Sequence, residues 1–211
     1  MIASLYKQAC DRLLSGPVRL LVSLRVGPST VTLLGLTLVL ACCAFLLLTH
    51  RVVAFCLLVV PAALLDALDG AVARATDHVT LFGGYLDAMC DRYAEAAVIL
   101  SVALVTGYWE LSALLLVGSL LVSYAKARAA IEVPVSNREW PDLMERTERG
   151  VVYILGLFVS QLVAWRPLGR DLFWWTLLLL CVLVHLTVYQ RIRRAAGLIR
   201  ERAGAGEHVP R

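Results

Sequence analysis

The chain has 211 residues, of which 60% are hydrophobic and 17% charged, with a formal net charge of +4. That composition excludes an ordinary water-soluble domain, and no nucleic-acid partner is expected. Six cysteines fall mostly inside apolar runs, at spacings that match no zinc or redox motif, and read as small packing residues.

In chain order, residues 1–27 come first. They mix Lys7, Asp11, Arg12, Pro17, Arg19 and Arg25 with Leu5, Leu13, Leu14, Val18, Leu20, Leu21 and Leu24. This is no cleavable signal, which needs one compact apolar core. The alternation predicts an amphipathic helix lying in the membrane interface. Residues 28–200 form the expected catalytic domain. Six apolar runs, at 31–49, 52–73, 84–106, 108–130, 150–165 and 172–190, approach the length of about 20 residues that spans a bilayer. The expected fold is therefore all-α, a polytopic membrane protein with six transmembrane helices. Ser29 or Thr30 is expected to cap the first of them. Residues 201–211, rich in Gly, Ala and charge, are expected to be a disordered tail.

With six spans, one side of the membrane receives the N-terminus, loops 74–83 and 131–149, and the tail. Most of the Lys and Arg residues lie there, and only Arg51, Arg166 and Arg170 lie opposite. The positive-inside rule makes the basic side cytoplasmic. The chain is expected in the plasma membrane with its chemistry facing the cytoplasm.

The second and third runs carry the chemistry. Asp66, Asp69, Gly70 and Ala73 share one face of a helix, and Asp87 and Asp91 share a face of the next, one turn after Gly83 and Gly84. A membrane aspartate costs about 2.5–3.5 kcal/mol, so four need neutralising. An antiparallel pair of helices could gather them around one or two divalent cations, and an all-oxygen ligand set suits Mg²⁺, Mn²⁺ or Ca²⁺. Two such ions can clamp a phosphoryl group, and Arg74 is placed to meet phosphate charge. A lone membrane aspartate is often only a hydrogen-bonding residue. A carboxylate cluster could also be the ion site of a transporter, but the repeats or mid-membrane breaks of transporters are missing here.

The pattern Asp66-x2-Asp69-Gly70-x2-Ala73-Arg74-x8-Gly83-x3-Asp87-x3-Asp91 resembles the signature of the CDP-alcohol phosphotransferases, the phosphatidyltransferases. The resemblance implies transfer of a substituted phosphate from a CDP-linked lipid to an alcohol, with release of CMP. It implies two Mg²⁺ ions (or Mn²⁺) held by Asp66, Asp69, Asp87 and Asp91, with Asp91 also the general base. It implies Gly70 and Arg74 as nucleotide contacts. Ser29 and Thr32 of "GPSTVT", together with Thr80, stand where the family places further CDP-lipid contacts. A homodimer is implied as well.

The signature leaves the acceptor alcohol open. Ser123 and Lys126 in "SYAKARA", Arg146 and Arg149 in "MERTERG", and Arg191 in "YQRIRRA" form a second constellation. Basic residues at cytoplasmic helix ends are expected from topology alone. As a set, these five resemble the acceptor pocket of the phosphatidylinositol-phosphate synthases. The resemblance implies a phosphorylated polyol, inositol 1-phosphate, as acceptor, with glycerol 3-phosphate its main rival and hence a phosphatidylglycerophosphate synthase. The reading from a different class is an ion-coupled transporter. His185 is expected to be a packed or hydrogen-bonded helix residue, and Glu95 to pair with an arginine.

Overall fold

A computed structural model of the chain describes residues 27–76, 80–133 and 144–204, together with the helical positions Gly16, Arg19, Val22 and Ser23. Within these, residues 65–67, 69, 70, 74, 75 and 202–204 are described by backbone alone. The expected interfacial segment 1–27 and residues 205–211 thus lie almost wholly outside the described residues. Every described element is a helix. The helices are α1 (Pro28–Thr49), α2 (Val52–Ala75), α3 (Leu81–Thr106), α4 (Trp109–Glu132), α5 (Arg146–Leu162) and α6 (Leu172–Gly204), with a 3₁₀ turn at Pro167–Gly169. The chain divides into two compact units, 1–105 and 106–211.

In the first unit α1 packs on α2. Only His50 and Arg51 join them, and His50 takes a left-handed conformation (φ 54°) that closes α1 with its N–H on the Leu46 carbonyl, 2.8 Å away. So short a connection favours antiparallel neighbours. Val31, Gly35, Val39, Cys43 and Leu46 repeat every three or four residues and form the buried side of α1. Leu33, Leu34, Leu38, Leu40, Leu47 and Leu48 lie exposed on its other sides. A helix apolar all round suits lipid rather than water. α2 continues through Pro61, a substitution of backbone chemistry that membrane helices tolerate.

The start of α1 corrects one expectation. Gly27 is its N-cap, without a side-chain bond, and Pro28 occupies the first turn, so Ser29 and Thr30 lie inside the helix. Proline's fixed φ and missing N–H suit that first position.

In the second unit α4 and α5 each pack on α6. The buried side of α6 runs Phe173, Leu177, Leu180, Val184, Thr187 and Arg191, alternating steps of three and four. Two glycines set the approach of its neighbours. A Cβ on Gly118 of α4 would meet Val184 Cγ1 at 2.5 Å and His185 Cε1 at 2.8 Å. One on Gly156 of α5 would meet Thr176 Cγ2 at 2.4 Å. His185 is both packed here and bonded, with Nδ1 2.9 Å from the Cys181 carbonyl. Before α6, Asp171 accepts the Tyr108 hydroxyl at 2.8 Å with one oxygen and the Trp174 N–H at 2.9 Å with the other, capping the helix.

The run expected at 150–165 is the helix 146–162. It starts early because Glu145 and Glu148 form a capping box. It stops early because Val163 is extended and Arg166 precedes Pro167. α6 runs past the expected end of its apolar stretch and four residues into the segment assigned to the tail, on the helix formers of "RAAGLIRERA".

By length and composition three described helices can cross a membrane: Pro28–Thr49, Trp109–Glu132 and Leu172–Glu201. The others differ for visible reasons. The apolar helix Val52–Leu64 is followed by Asp66 and Asp69, α3 carries Asp87, Asp91, Arg92 and Glu95, and α5 has 17 residues.

Glycine substitutions in the second unit test this packing. Gly118→Ala should destabilise the detergent-solubilised protein by about 1–3 kcal/mol through overpacking. Gly197→Ala, where a Cβ meets nothing within 4 Å, should be neutral or stabilise by up to about 1 kcal/mol. Thermal unfolding of the two variants checks the contrast, and equal shifts would contradict the close α4–α6 approach.

Candidate functional site

Register places Asp66, Asp69, Gly70 and Ala73 on one side of α2, with Arg74 one residue further on. On α3, Asp87 and Asp91 stand one turn apart on a common face, both half-buried. All four aspartates belong to the first unit. Among the described residues no group of three or more His, Cys, Asp or Glu is placed to hold an ion; Asp66 and Asp69 are described by backbone alone. The chemistry of the donor set, carboxylate oxygens only, fits a hard divalent cation.

Asp91 has a neighbour that the sequence reading missed. Arg92 Nη2 lies 3.6 Å from Asp91 Oδ2, and Arg92 Nε lies 3.9 Å from Glu95 Oε2. Glu95 thus has the arginine partner expected for it. The signal was available in the spacing Asp91-Arg92-x2-Glu95, where the arginine reaches a carboxylate one residue back and another three residues on.

The expected nucleotide contacts also lie in the first unit. Thr32 is buried, and its hydroxyl donates to the Pro28 carbonyl at 3.2 Å. Ser29 is half-buried in the first turn of α1. Thr80 is exposed and opens α3: its hydroxyl accepts the Gly83 N–H at 2.9 Å. A Cβ on Gly83 would sit 2.9 Å from that same oxygen. The glycine of the signature therefore has a local reason, the close approach of a cap.

The expected acceptor residues all lie in the second unit. Arg149 and Arg191 are 3% and 6% exposed. Arg149 Nη1 donates to the Met144 carbonyl at 3.1 Å, across the first turn of α5. Arg191 Nη1 donates to the Val122 carbonyl of α4. That bond brings the Arg191 guanidinium to the residue before Ser123 and one turn from Lys126. Ser123 donates to the Ser119 carbonyl at 3.3 Å. Lys126 and Arg146 are half-buried. Arg191 rather than Arg194 is the buried member of "YQRIRR". A second feature missed from sequence supports this set. In the capping box, Glu148 accepts the Glu145 N–H at 3.0 Å, fixing the turn that carries Arg146 and Arg149; the spacing Glu145-x2-Glu148 before an apolar run was its signal.

A family model described as CDP-alcohol phosphatidyltransferase matches residues 25–189. The chain belongs to this family. As a CDP-alcohol phosphatidyltransferase it is an enzyme, a transferase of membrane phospholipid synthesis. An archaetidylinositol phosphate synthase of Pyrococcus horikoshii is 34% identical over 177 residues, 83% of this chain and 86% of the relative. A phosphatidylinositol phosphate synthase of Mycobacterium tuberculosis is 33% identical over 180 residues, 80% of each chain. The crystal structure of the M. tuberculosis enzyme with CDP-DAG bound matches with a TM-score of 0.75 at 30% identity, covering 87% of this chain and 94% of that one. A structure of the same enzyme with manganese and citrate matches with a TM-score of 0.72 at 29% identity, covering 85% and 87%.

The Thr80 cap gives a local test. Thr80→Val should speed hydrogen exchange at the first-turn amides of α3 about fivefold, the equivalent of about 1 kcal/mol of lost capping, whereas Thr80→Ser should leave it near wild type. Unchanged exchange in Thr80→Val would remove the cap.

Proposed function

We propose that this transferase moves the phosphatidyl group of CDP-diacylglycerol onto inositol 1-phosphate, releasing CMP and giving phosphatidylinositol phosphate. One observation carries the acceptor: two guanidiniums, Arg149 and Arg191, lie buried in one unit, each anchored on a backbone carbonyl, with Arg146 on the helix of Arg149, and Ser123 and Lys126 on α4, whose Val122 carbonyl anchors Arg191. A phosphomonoester supplies the opposite charge in a shape that suits the arginine fork. The names of the two synthases reported above support the same acceptor class.

In this reading Gly70, Arg74, Ser29, Thr32 and Thr80 hold the nucleotide end of the donor. Asp66, Asp69, Asp87 and Asp91 would hold two Mg²⁺ or Mn²⁺ ions, which when bound draw charge from the diphosphate oxygens and ease departure of CMP. Asp91 takes the proton of the acceptor hydroxyl, whose own pKa is far above 7. The hydroxyl oxygen bonds to the phosphorus that carries the diacylglycerol. The bond from that phosphorus to the bridging oxygen breaks, and the electron pair leaves with CMP. Ser123, Lys126, Arg146, Arg149 and Arg191 hold the acceptor phosphate and so aim its hydroxyl.

The reading also takes all six helices as spans within one catalytic domain, residues 28–200, preceded by an interfacial segment. It places the site at the cytoplasmic face of the plasma membrane, in a homodimer. The charge distribution supports the orientation. The chemistry supports the location, since one substrate is a lipid and the other is water-soluble.

Initial rates of CMP release from CDP-diacylglycerol with Mg²⁺ test the proposal. Inositol 1-phosphate should be used far better than free inositol or glycerol 3-phosphate. Arg146→Ala and Arg149→Ala should each raise the acceptor KM tens-fold, because a charge-assisted contact is worth roughly 1.5–3 kcal/mol, while the CDP-lipid KM changes little. Arg146 is the half-buried member and tests the role without opening a buried cavity. Preference for free inositol would overturn the phosphate pocket. Preference for glycerol 3-phosphate would keep the pocket and change the acceptor, and absence of CMP release would favour the transporter.

A further inference from the structure

We propose that Arg92, braced by Glu95, is a positioning residue for Asp91, restraining the carboxyl that receives the acceptor proton. The proposal rests on the reading of Asp91 as the base and goes one step beyond it.

Three charged side chains lie within five residues of α3, between apolar stretches. Their side chains are mostly buried: 16% exposed for Asp91, 22% for Arg92 and 13% for Glu95. Two edges of one guanidinium face the two carboxylates. Nη2 faces Asp91 Oδ2 at 3.6 Å, and Nε faces Glu95 Oε2 at 3.9 Å. Both separations exceed hydrogen-bonding length, so these are ion pairs. Asp91 and Glu95 are four residues apart, a spacing at which like charges on a helix repel. The guanidinium sits against both and offsets that repulsion.

The planarity of the guanidinium gives the pair its use. A lysine ammonium would neutralise charge from many directions. A planar fork with one edge on Glu95 has its other edge directed, and so restrains rotation of the Asp91 carboxyl. Misplacing a reacting group by about 1 Å can cost a factor of about 100 in rate. Arg92 touches neither substrate in this account and acts through Asp91 alone. Glu95, one residue further from the base, acts only through Arg92.

The test compares Arg92→Gln, Arg92→Lys, Glu95→Gln, the double variant Arg92→Gln/Glu95→Gln and Asp91→Asn in the full-length purified protein. Arg92→Gln should lower kcat about 10- to 100-fold, with the KM for CDP-diacylglycerol and for inositol 1-phosphate within about threefold of wild type. Arg92→Lys should restore part of kcat. Glu95→Gln should lower kcat less, and the double variant should be no slower than Arg92→Gln alone. A second readout needs no turnover. The paramagnetic resonance spectrum of Mn²⁺ bound to the substrate-free protein should change in Arg92→Gln and move back towards wild type in Arg92→Lys. If Arg92→Gln fails to fold, Glu95→Gln, which keeps the arginine, carries the kcat test. A kcat within threefold of wild type in a folded Arg92→Gln, or in Glu95→Gln should it stand in, overturns the proposal, as does an unchanged Mn²⁺ spectrum. Asp91→Asn separates the two levels. If it is inactive while Arg92→Gln turns over normally, only the role of Arg92 falls; if it stays active, the assignment of Asp91 falls with it.

Discussion

A carboxylate gives up much of its hydration on leaving water for an apolar helix bundle, at a cost of about 2.5–3.5 kcal/mol on insertion scales. This chain places four of them within residues 66–91. In the proposed reading divalent cations would answer that cost and give it a use, because ions held by hard oxygen donors bind a diphosphate. The rest of the first unit follows from this constraint. The cap at Thr80, with Gly83 pressed against it, sets where α3 begins and hence the phase of Asp87 and Asp91. Arg92 and Glu95 then extend the charge balance one turn beyond the signature.

The second unit solves the opposite problem. Its buried charges are cations, Arg149 and Arg191, held in place by backbone carbonyls. The glycines at 118 and 156 let α4 and α5 come close to α6. Close approach is what allows Arg191 of α6 to reach the Val122 carbonyl of α4. The residues proposed for metal and nucleotide fall in one unit and those proposed for the acceptor in the other.

Much of this was legible in the sequence, for physical reasons. Long apolar runs and their breaks gave all six helices, because a helix must satisfy its own backbone in lipid. The spacing of Asp66, Asp69, Asp87 and Asp91 gave the carboxylate faces, because helical periodicity is rigid. Helix ends were harder to read. The expectation that Ser29 or Thr30 caps α1 weighed side-chain chemistry and overlooked Pro28, whose ring favours the first turn. α5 shifted four residues towards the N-terminus because a capping box of two glutamates sits outside its apolar run. Six spans were expected where three described helices have the length and composition to cross a membrane; hydropathy is lowered in α2 and α3 by their charged residues. Arg92 went unread because an ion pair within one helix turn looks like any surface pair until burial is known.

The central claim is that bound divalent cations offset the four carboxylates of residues 66–91, and thermal stability measured against Mg²⁺ concentration tests it most directly. A ligand that binds only the folded state stabilises it increasingly as its concentration passes the dissociation constant. The melting temperature of the purified wild-type protein should fall on chelation and rise with added Mg²⁺. In Asp66→Asn/Asp69→Asn/Asp87→Asn/Asp91→Asn the dependence on Mg²⁺ should vanish, and the metal-free protein should melt no lower than chelated wild type. A wild-type melting temperature indifferent to Mg²⁺ and Mn²⁺, or a quadruple variant that still responds to them, would contradict the account.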